Sequence, residues 1–318
     1  MYCEQTSSFE NEPTVAIFLA TYNGEAYLKE QLESISRQSF LDWGLYCSDD
    51  GSSDRTKALI NEFSAAQPEK IVRFFNGPCR GFAQNFLSLL CNKSINAQYY
   101  AYADQDDVWM NDKLLNATQW LSQISPEIPA LYCSRTEYVD EGLKHIGFSL
   151  AYKRPSIFKN ALVQNIASGN TMVFNRAARA LIQAAGPDVD IPLHDWWTYI
   201  LVAGAGGKVF FDHAPSVLYR QHEANLWGMN AGWAARFARI EKLFQGRFKG
   251  WNERHIHEIE KSREFFTAEN LVTVDLFAKC RLSENIFSRI FYLFRSGVYR
   301  QTLIANIGLI VATLSRKI

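Results

Sequence analysis

The chain has 318 residues, 47% hydrophobic and 21% charged, which excludes a disordered chain and leaves room for one α/β domain with an appendage. Its formal net charge is zero, yet residues 1–230 carry 18 Lys/Arg against 25 Asp/Glu, and residues 231–318 carry 15 against 8, so an acidic body precedes a basic tail. Six scattered cysteines with no C-x-x-C pair argue against zinc or a redox couple, and the acidic start MYCEQTSSFENEP lacks the marks of an export signal, so a cytoplasmic setting is expected.

TVAIFLA (14–20) is an apolar, β-branched run between Pro13 and TYNGE and reads as a buried strand. EAYLKEQLESISRQS follows, with Tyr27, Leu28, Leu32 and Ile35 at helical spacing. LYCSDDGSSD repeats the plan: a short strand ending in acids, a Gly turn, then the helical RTKALINEFSAA. IVRFF is a third strand, GFAQNFLSLLCN another helix, and QYYAYA a fourth strand. This alternation predicts an α/β fold with a mostly parallel central sheet and helices on both faces. In such sheets ligands sit beyond the carboxyl ends of the strands. Three of those ends carry polar clusters: Thr21-Tyr22-Asn23, Asp49-Asp50-Gly51 and Asp104-Gln105-Asp106. Strand ends that converge on one rim make one site.

After residue 130 the alternation loosens. ALYCSRTEYV and SGNTMVFN read as strands, RAARALIQAAG and HDWWTYILVAGAGG as helices, and KVFFDH and SVLYRQH as two further strands. Adjacent Trp196 and Trp197 point roughly 100° apart on a helix, so one is expected in the core and the other outside it. From residue 231 the chain reads as helical and basic. The last 34 residues hold five basic residues and no acid, around FYLF and LIANIGLIVATL. That apolar run is broken by Asn306 and falls short of the roughly 20 residues that span a bilayer. Helices lying on an anionic membrane face, helices docked on the body and an oligomer contact all fit it.

The acidic stretch YYAYADQDDVW is the sharpest signal. Alternation along an extended segment sends Asp104 and Asp106 to one side and Gln105 to the other. Like charges this close repel, and two carboxylates at the rim of a parallel sheet suit Mg2+ or Mn2+. Such an ion takes one or two carboxylates and fills its other positions with water and phosphate oxygens. Asp107 or Asn111 is the candidate cap of the helix KLLNATQWL.

Together ATYNGEAYLKEQLESISRQSF, SDDGSSDRT, ADQDDVW and SGNTMVFNRA resemble the family 2 glycosyltransferases with the GT-A fold, from about Thr14 to about Trp227. The resemblance implies an inverting enzyme with a nucleotide-sugar donor and a divalent metal, Mg2+ or Mn2+. DQDDVW, with HDWW and YRQH further on, is most similar to bacterial rhamnosyltransferases of O-antigen and rhamnose-polysaccharide assembly. That narrower likeness implies dTDP-L-rhamnose as donor and a lipid-linked glycan as acceptor. It also implies a peripheral location on the inner face of the bacterial inner membrane. Residues 1–230 would form the nucleotide-sugar-binding catalytic domain, and residues 231–318 a helical basic extension. A UDP-sugar donor carrying galactose, glucose or N-acetylhexosamine is the alternative.

Carried over motif by motif, the resemblance puts Thr21, Tyr22, Asn23 and Glu25 against the base and ribose. It puts Asp49 or Asp50 on the pyrimidine N–H, and Arg80, Gly81 and Asn85 near the nucleotide, where Gly81 permits close backbone approach. Asp104, with Gln105 beside it, meets the ribose or metal waters, and Asp106 the metal itself. Asp195 takes the place of the base that removes the acceptor hydroxyl proton, with a helix N-cap as the competing reading. His194 stands where the family commonly keeps Glu. Ser168, Gly169 and Asn170 line the acceptor side, beside His194, Trp196 and Trp197. Arg220 is a second charge on the diphosphate, and His222 completes the metal or diphosphate site.

Other classes fit less well. A nucleotidyltransferase would carry a basic loop after the first strand, and TYNGEAY has no basic residue. G-x-G-x-x-G is absent from that turn, which disfavours an NAD enzyme. The acidic body would repel nucleic acid. A non-catalytic binding subunit would have no use for Asp104, Asp106 and Asp195 together.

Overall fold

A computed structural model describes residues 12–222 and 247–318. The acidic start, the last residues of the family resemblance (223–227) and the first part of the basic helical reading (231–246) lie outside the described residues.

In chain order the elements are β1 (Val15–Thr21), α1 (Leu28–Ser36), β2 (Trp43–Asp49), α2 (Thr56–Ala66), β3 (Val72–Asn76), α3 (Phe82–Cys91), β4 (Tyr99–Ala103), β5 (Val108–Trp109) and α4 (Lys113–Leu121). Then come β6 (Ala130–Val139), β7 (His145–Phe148), α5 (Phe158–Ala161), β8 (Val173–Asn175), α6 (Arg176–Ala185), α7 (His194–Gly204) and β9 (Lys208–Arg220). Four further helices follow: α8 (Arg247–Lys261), α9 (Ala268–Leu282), α10 (Ile286–Ser296) and α11 (Leu303–Leu314). The sheet runs β3-β2-β1-β4-β8-β6-β9-β5, with β7 paired to β6.

Val15, Ile17 and Leu19 enter one apolar cluster and Ala16 and Phe18 another, so β1 is buried on both faces, as a central parallel strand requires. Its register sets the site. Thr21 pairs with Asp49 at the end of β2, and Leu19 with Ala103 at the end of β4. The three polar clusters therefore leave the sheet at one rim.

The parallel order stops at β8, which runs antiparallel to both β4 and β6. The two strands expected from KVFFDH and SVLYRQH are one 13-residue strand, β9, parallel to β6. It bends where the register slips opposite Ser134–Thr136. Pro215 sits in the bend, where a residue without an N–H costs no ladder bond.

The expectation that only one of Trp196 and Trp197 is core is corrected: both are buried. Helix α7 is apolar nearly all round because it is covered on two sides. The sheet takes one side, and on the other Trp196 meets Trp251 and His255 of α8 edge to face, at ring-centroid distances of 5.9 Å and 4.6 Å. The C-terminal helices share this core through Phe248, Ile259, Phe266, Val274, Phe277, Leu293 and Leu309. Gly204 allows the approach: a Cβ there would fall 2.2 Å from the Phe266 ring.

Of the five basic residues near the C-terminus, two turn inward. Arg289 is buried and donates to the Thr313 and Leu314 carbonyls at 2.7 Å and 2.9 Å. Arg300 faces a cavity described below. Arg295 and Arg316 stay exposed. The outer faces of α10 and α11 expose Phe287, Phe291 and Phe294, and Leu303, Ile304, Ile307 and Val311. Among the described residues no helix is long and apolar enough to cross a membrane.

Candidate active site

A cleft of about 1650 Å³ opens over the rim where β1, β2 and β4 end. Thr21, Tyr22, Asn23, Asp50, Gly81, Asn85, Asp104, Gln105 and Asp106 line one part of it, and Ser168, Gly169, His194, Asp195, Trp196 and His222 another.

The first loop is fixed from beneath. Gln105 accepts from the Tyr22 N–H at 2.9 Å and donates to the Tyr22 carbonyl at 3.0 Å, gripping the backbone as a neighbouring strand would. Gly24 leaves room for that amide, since a Cβ there would lie 2.5 Å from Gln105 Oε1. Tyr22 is thereby held out into the cleft, with the residue 58% exposed. Asp50 receives the N–H groups of Cys79 and Gly81 at 2.6 Å and 2.8 Å, which folds the loop before α3 around it. Gly81 has φ +89°, a backbone geometry that favours glycine. Asn85 donates to the Ser48 carbonyl at 2.8 Å and keeps its Oδ1 without a protein partner.

The acidic loop is the electrostatic centre. Asp106 Oδ2 lies 2.9 Å from His222 Nε2, and the His222 ring packs on Tyr27 with centroids 4.9 Å apart. Burial pushes Asp104 up to about 7, and the neighbouring Asp106 and Asp195 add to the rise, with Lys113 opposing it. Asp107 is fully buried, and burial followed by Asp106 and Asp104 raises its carboxyl well above the usual range. It caps no helix. Asp112 stands at the start of α4 with no side-chain cap bond, so neither Asp107 nor Asn111 plays the expected role. Instead Asp107 Oδ2 accepts from Asn170 Nδ2 at 2.5 Å.

Lys113 belongs to none of the motifs of the sequence. It is buried, lies 3.8 Å over the Trp109 ring and donates to the Asn170 carbonyl at 2.6 Å. Burial pulls its ammonium down to about 7 against the pull of Asp107 and Asp104. One buried lysine thus faces several acids whose raised carboxyls mark burial and mutual repulsion, and a cation at the rim would relieve the repulsion. Asp106 and His222 offer an oxygen and a nitrogen to it. Among the described residues no group of three or more His, Cys, Asp or Glu could enclose a metal alone. A divalent ion here would draw its other ligands from phosphate oxygens and water, as magnesium and manganese commonly do. The residues present fit such an ion.

Asp195 lies in the first turn of α7, after Leu193 at the cap position. Its Oδ2 accepts from the Gly169 N–H at 3.0 Å and its Oδ1 from the Trp196 N–H at 2.5 Å. Burial nevertheless raises it to about 6, with these donors and Asn165 pulling the other way. His194 stacks on Phe86 at 3.9 Å and meets Tyr102 edge-on at 4.7 Å. Neither ring nitrogen has a protein partner, and burial pulls its pKa down to about 3, so it presents a neutral imidazole to the cleft wall.

Several expected contact residues lie elsewhere. Asp49 sits beneath the cleft, holding Ser52, Thr21 and Lys57; these partners outweigh burial and keep its carboxyl below the usual range. Asp50, not Asp49, faces the cleft. Glu25 turns away to accept the Arg55 N–H at 3.1 Å. Arg80 is exposed and pairs with Asp188 at 3.5 Å. Asn170 and Trp197 are buried behind the wall. Arg220 is corrected from diphosphate contact to internal strut, because a buried guanidinium needs acceptors and finds them within the fold. It donates to the Asp106 carbonyl at 3.1 Å, to Glu141 and to Glu30, and lies 4.6 Å over Tyr27.

The model of Glycosyl transferase family 2 matches residues 16–181. The chain is 30% identical over 239 residues to the dTDP-rhamnosyl transferase RfbG of Shigella flexneri, covering 70% of this chain and 78% of that protein. Among solved structures, it is similar to the mannosyltransferase PcManGT from Pyrobaculum calidifontis in complex with GDP-Man and Mn2+. There the TM-score is 0.51 at 16% identity, covering 97% of this chain and 86% of that one. TarS of S. aureus in complex with UDP-GlcNAc gives a TM-score of 0.51 at 14% identity, covering 95% and 81%. At such identities the two structures speak for the fold alone.

Proposed function

The chain belongs to Glycosyl transferase family 2 and is a glycosyltransferase with a GT-A-like fold, and from that premise we propose an inverting, metal-dependent transfer of L-rhamnose from dTDP-L-rhamnose to a lipid-linked glycan. The observation that carries this reading is the division of acids along one cleft. Asp106 is paired with His222 at the rim of β4, while Asp195 stands apart on α7 with its carboxyl raised to about 6. An inverting displacement needs that division, because the base must not be a metal ligand.

On this reading Tyr22 and Asp50 hold the donor's base. Each Asp50 oxygen has a lone pair left to accept a pyrimidine N–H. Asp106 and His222 would hold a divalent cation, which would supply Lewis-acid stabilisation to the leaving diphosphate. Asp195 removes the proton from the acceptor hydroxyl as its oxygen bonds to the anomeric carbon. The bond from that carbon to the diphosphate oxygen breaks, and its electron pair departs with the diphosphate. Phe86, Trp196 and neutral His194 give the sugar side an apolar wall suited to a 6-deoxy sugar, and the similarity to RfbG supports rhamnose in particular. A carboxylate on the pyrimidine N–H serves uracil and thymine alike, so a UDP-sugar is the second reading.

The same proposal places the protein on the inner face of the inner membrane. Support comes from the apolar outer faces of α10 and α11 beside exposed Arg295 and Arg316, in a segment without acids after Glu284. The deciding assay incubates the full chain with Mn2+, membrane acceptor lipids and labelled dTDP-L-rhamnose, UDP-glucose, UDP-galactose or UDP-N-acetylglucosamine. Label from dTDP-L-rhamnose alone passing into lipid is the expected result. Transfer from a UDP-sugar instead would move the assignment to the second reading.

A further inference from the structure

The cleft continues past Asp195 to a wall that the strands of the sheet do not build. Phe248 and Trp251 of α8 line it, with Arg300 from the turn between α10 and α11. The turn is rigidly set. Arg300 N–H donates to Asn306 Oδ1 at 2.9 Å, its carbonyl accepts from Arg154 at 3.0 Å and from Asn306 at 2.6 Å, and the Gln301 N–H donates to Gln164 Oε1 at 2.8 Å. This geometry drives a cation inward.

Buried Arg179 shows the ordinary case: its whole fork is taken up by the fold, donating to the carbonyls of Leu90, Asn92 and Ile95 and to the Tyr100 hydroxyl. Arg300 is treated differently. Its Nε donates to the Val163 carbonyl at 3.1 Å and its guanidinium lies 4.4 Å over the Phe248 ring. Among the described residues no carboxylate pairs with it, and burial, which pulls it down to about 10, leaves it charged at neutral pH. The other N–H donors of its fork are left for what the cleft holds. Val163 lies two residues before Asn165, which lines the cleft together with Asp195, so the cation stands on the acceptor side of the base.

We propose that Arg300 binds a phosphate-type anionic group of the acceptor at the far end of the cleft, an assignment that rests on the transferase reading above. A planar guanidinium is shaped for two parallel bonds to such an oxyanion. Trp251 lines the cleft beside it and supplies an apolar surface for a sugar ring, while Phe248 backs the guanidinium. Both the diphosphate of a lipid carrier and a phosphate on the glycan offer this chemistry.

The test is calorimetric, on the full chain in EDTA, with inorganic pyrophosphate as the probe. Asp106→Asn protein removes the metal-side contribution and should still bind pyrophosphate at one site. Arg300→Gln should weaken that binding at least tenfold, and Arg300→Lys, which keeps a charge but loses the fork, by a smaller factor. Farnesyl diphosphate binding more tightly than pyrophosphate identifies the lipid carrier as the source, and glucose 1-phosphate doing so identifies a phosphorylated glycan. Equal affinity in wild type and Arg300→Gln, or no saturable binding to Asp106→Asn protein, overturns the proposal; the second result needs no Arg300 variant to fold. A parallel titration of wild type with dTDP and Mn2+ keeps the two ideas separate. Its failure sinks the donor site, whereas dTDP binding without Arg300-dependent pyrophosphate binding sinks the acceptor site alone.

Discussion

Asp106 and His222 meet at 2.9 Å although 116 residues separate them, so the end of β4 and the end of β9 together present one oxygen and one nitrogen to the cleft. Arg220 brings the two ends together, donating from β9 to the Asp106 carbonyl at 3.1 Å. The pair is therefore held by a buried strut.

Nucleotide binding should be metal-dependent through this pair. A ligand at a hundred times its Kd stabilises by about 2.7 kcal/mol, which raises the melting midpoint by several degrees. With dTDP and Mn2+ that shift is expected in wild type, and is expected to vanish in Asp106→Asn and shrink in His222→Ala. A shift of the same size in both variants would place the metal elsewhere.

The pH dependence follows from Asp195. Burial raises its carboxyl to about 6, and the charged group that faces it across the cleft is Asp104, beside neutral His194 and Tyr102. A base works only when ionised, so the raised value moves the loss of activity upward in pH. kcat/KM should be flat above about 7 and fall tenfold per pH unit below about 6, two units higher than an ordinary carboxylate would give. Asp195→Asn should lose roughly 10²–10⁴ of the rate and with it the acid limb. An unchanged limb in the variant assigns the titration to another group.

Asp107 and Asn170 test the wall rather than the chemistry. Their 2.5 Å bond is sealed from solvent, and Asp107 Oδ1 has no partner of its own. Asn170→Ala leaves the buried Asp107 carboxyl without its side-chain partner, so urea unfolding should show a loss of about 1–3 kcal/mol. Lys113→Met, which removes the buried cation beside Asp104 and Asp107, should cost about 3–5 kcal/mol. Losses below 0.5 kcal/mol in both would show that the acids relax by other means.

Much of this arrangement is written locally in the chain, and some of it is not. The first four strands announce themselves by apolar runs ending in polar Gly turns, and register alone then carries Thr21, Asp50 and Asp104 to one rim. Lys113 left a weaker trace. A lysine at the first position of α4 opposes the helix dipole, so its placement there asks for an acidic partner. Arg220 and Asp49 misled because charge at a strand end looks the same whether it faces a ligand or a neighbouring loop. Trp197 and Arg300 were illegible for a different reason. Both depend on α8 to α11 folding back over α7, a long-range packing that no local spacing records.

The outward face of that packing supplies the last prediction. Phe287, Phe291 and Phe294 follow one another at helical spacing and are 82%, 58% and 67% exposed, an apolar stripe that a monomer in water seldom leaves bare. Arg295 and Arg316 are exposed in the same segment, which has no acid after Glu284. Each phenylalanine entering the headgroup region should gain about 1 kcal/mol or more, and each exposed arginine about 1 kcal/mol on an anionic surface. Replacing all three phenylalanines with serine should therefore weaken binding to vesicles containing anionic phosphatidylglycerol by on the order of a hundredfold. High salt should weaken the wild type less, since it screens only the arginines. The dTDP-induced thermal shift should be unchanged in the triple variant, because the stripe lies on the face turned away from the core that α10 and α11 share with α7. Vesicle sedimentation that does not respond to the substitutions would leave the stripe to a second protein surface and remove the membrane from the account.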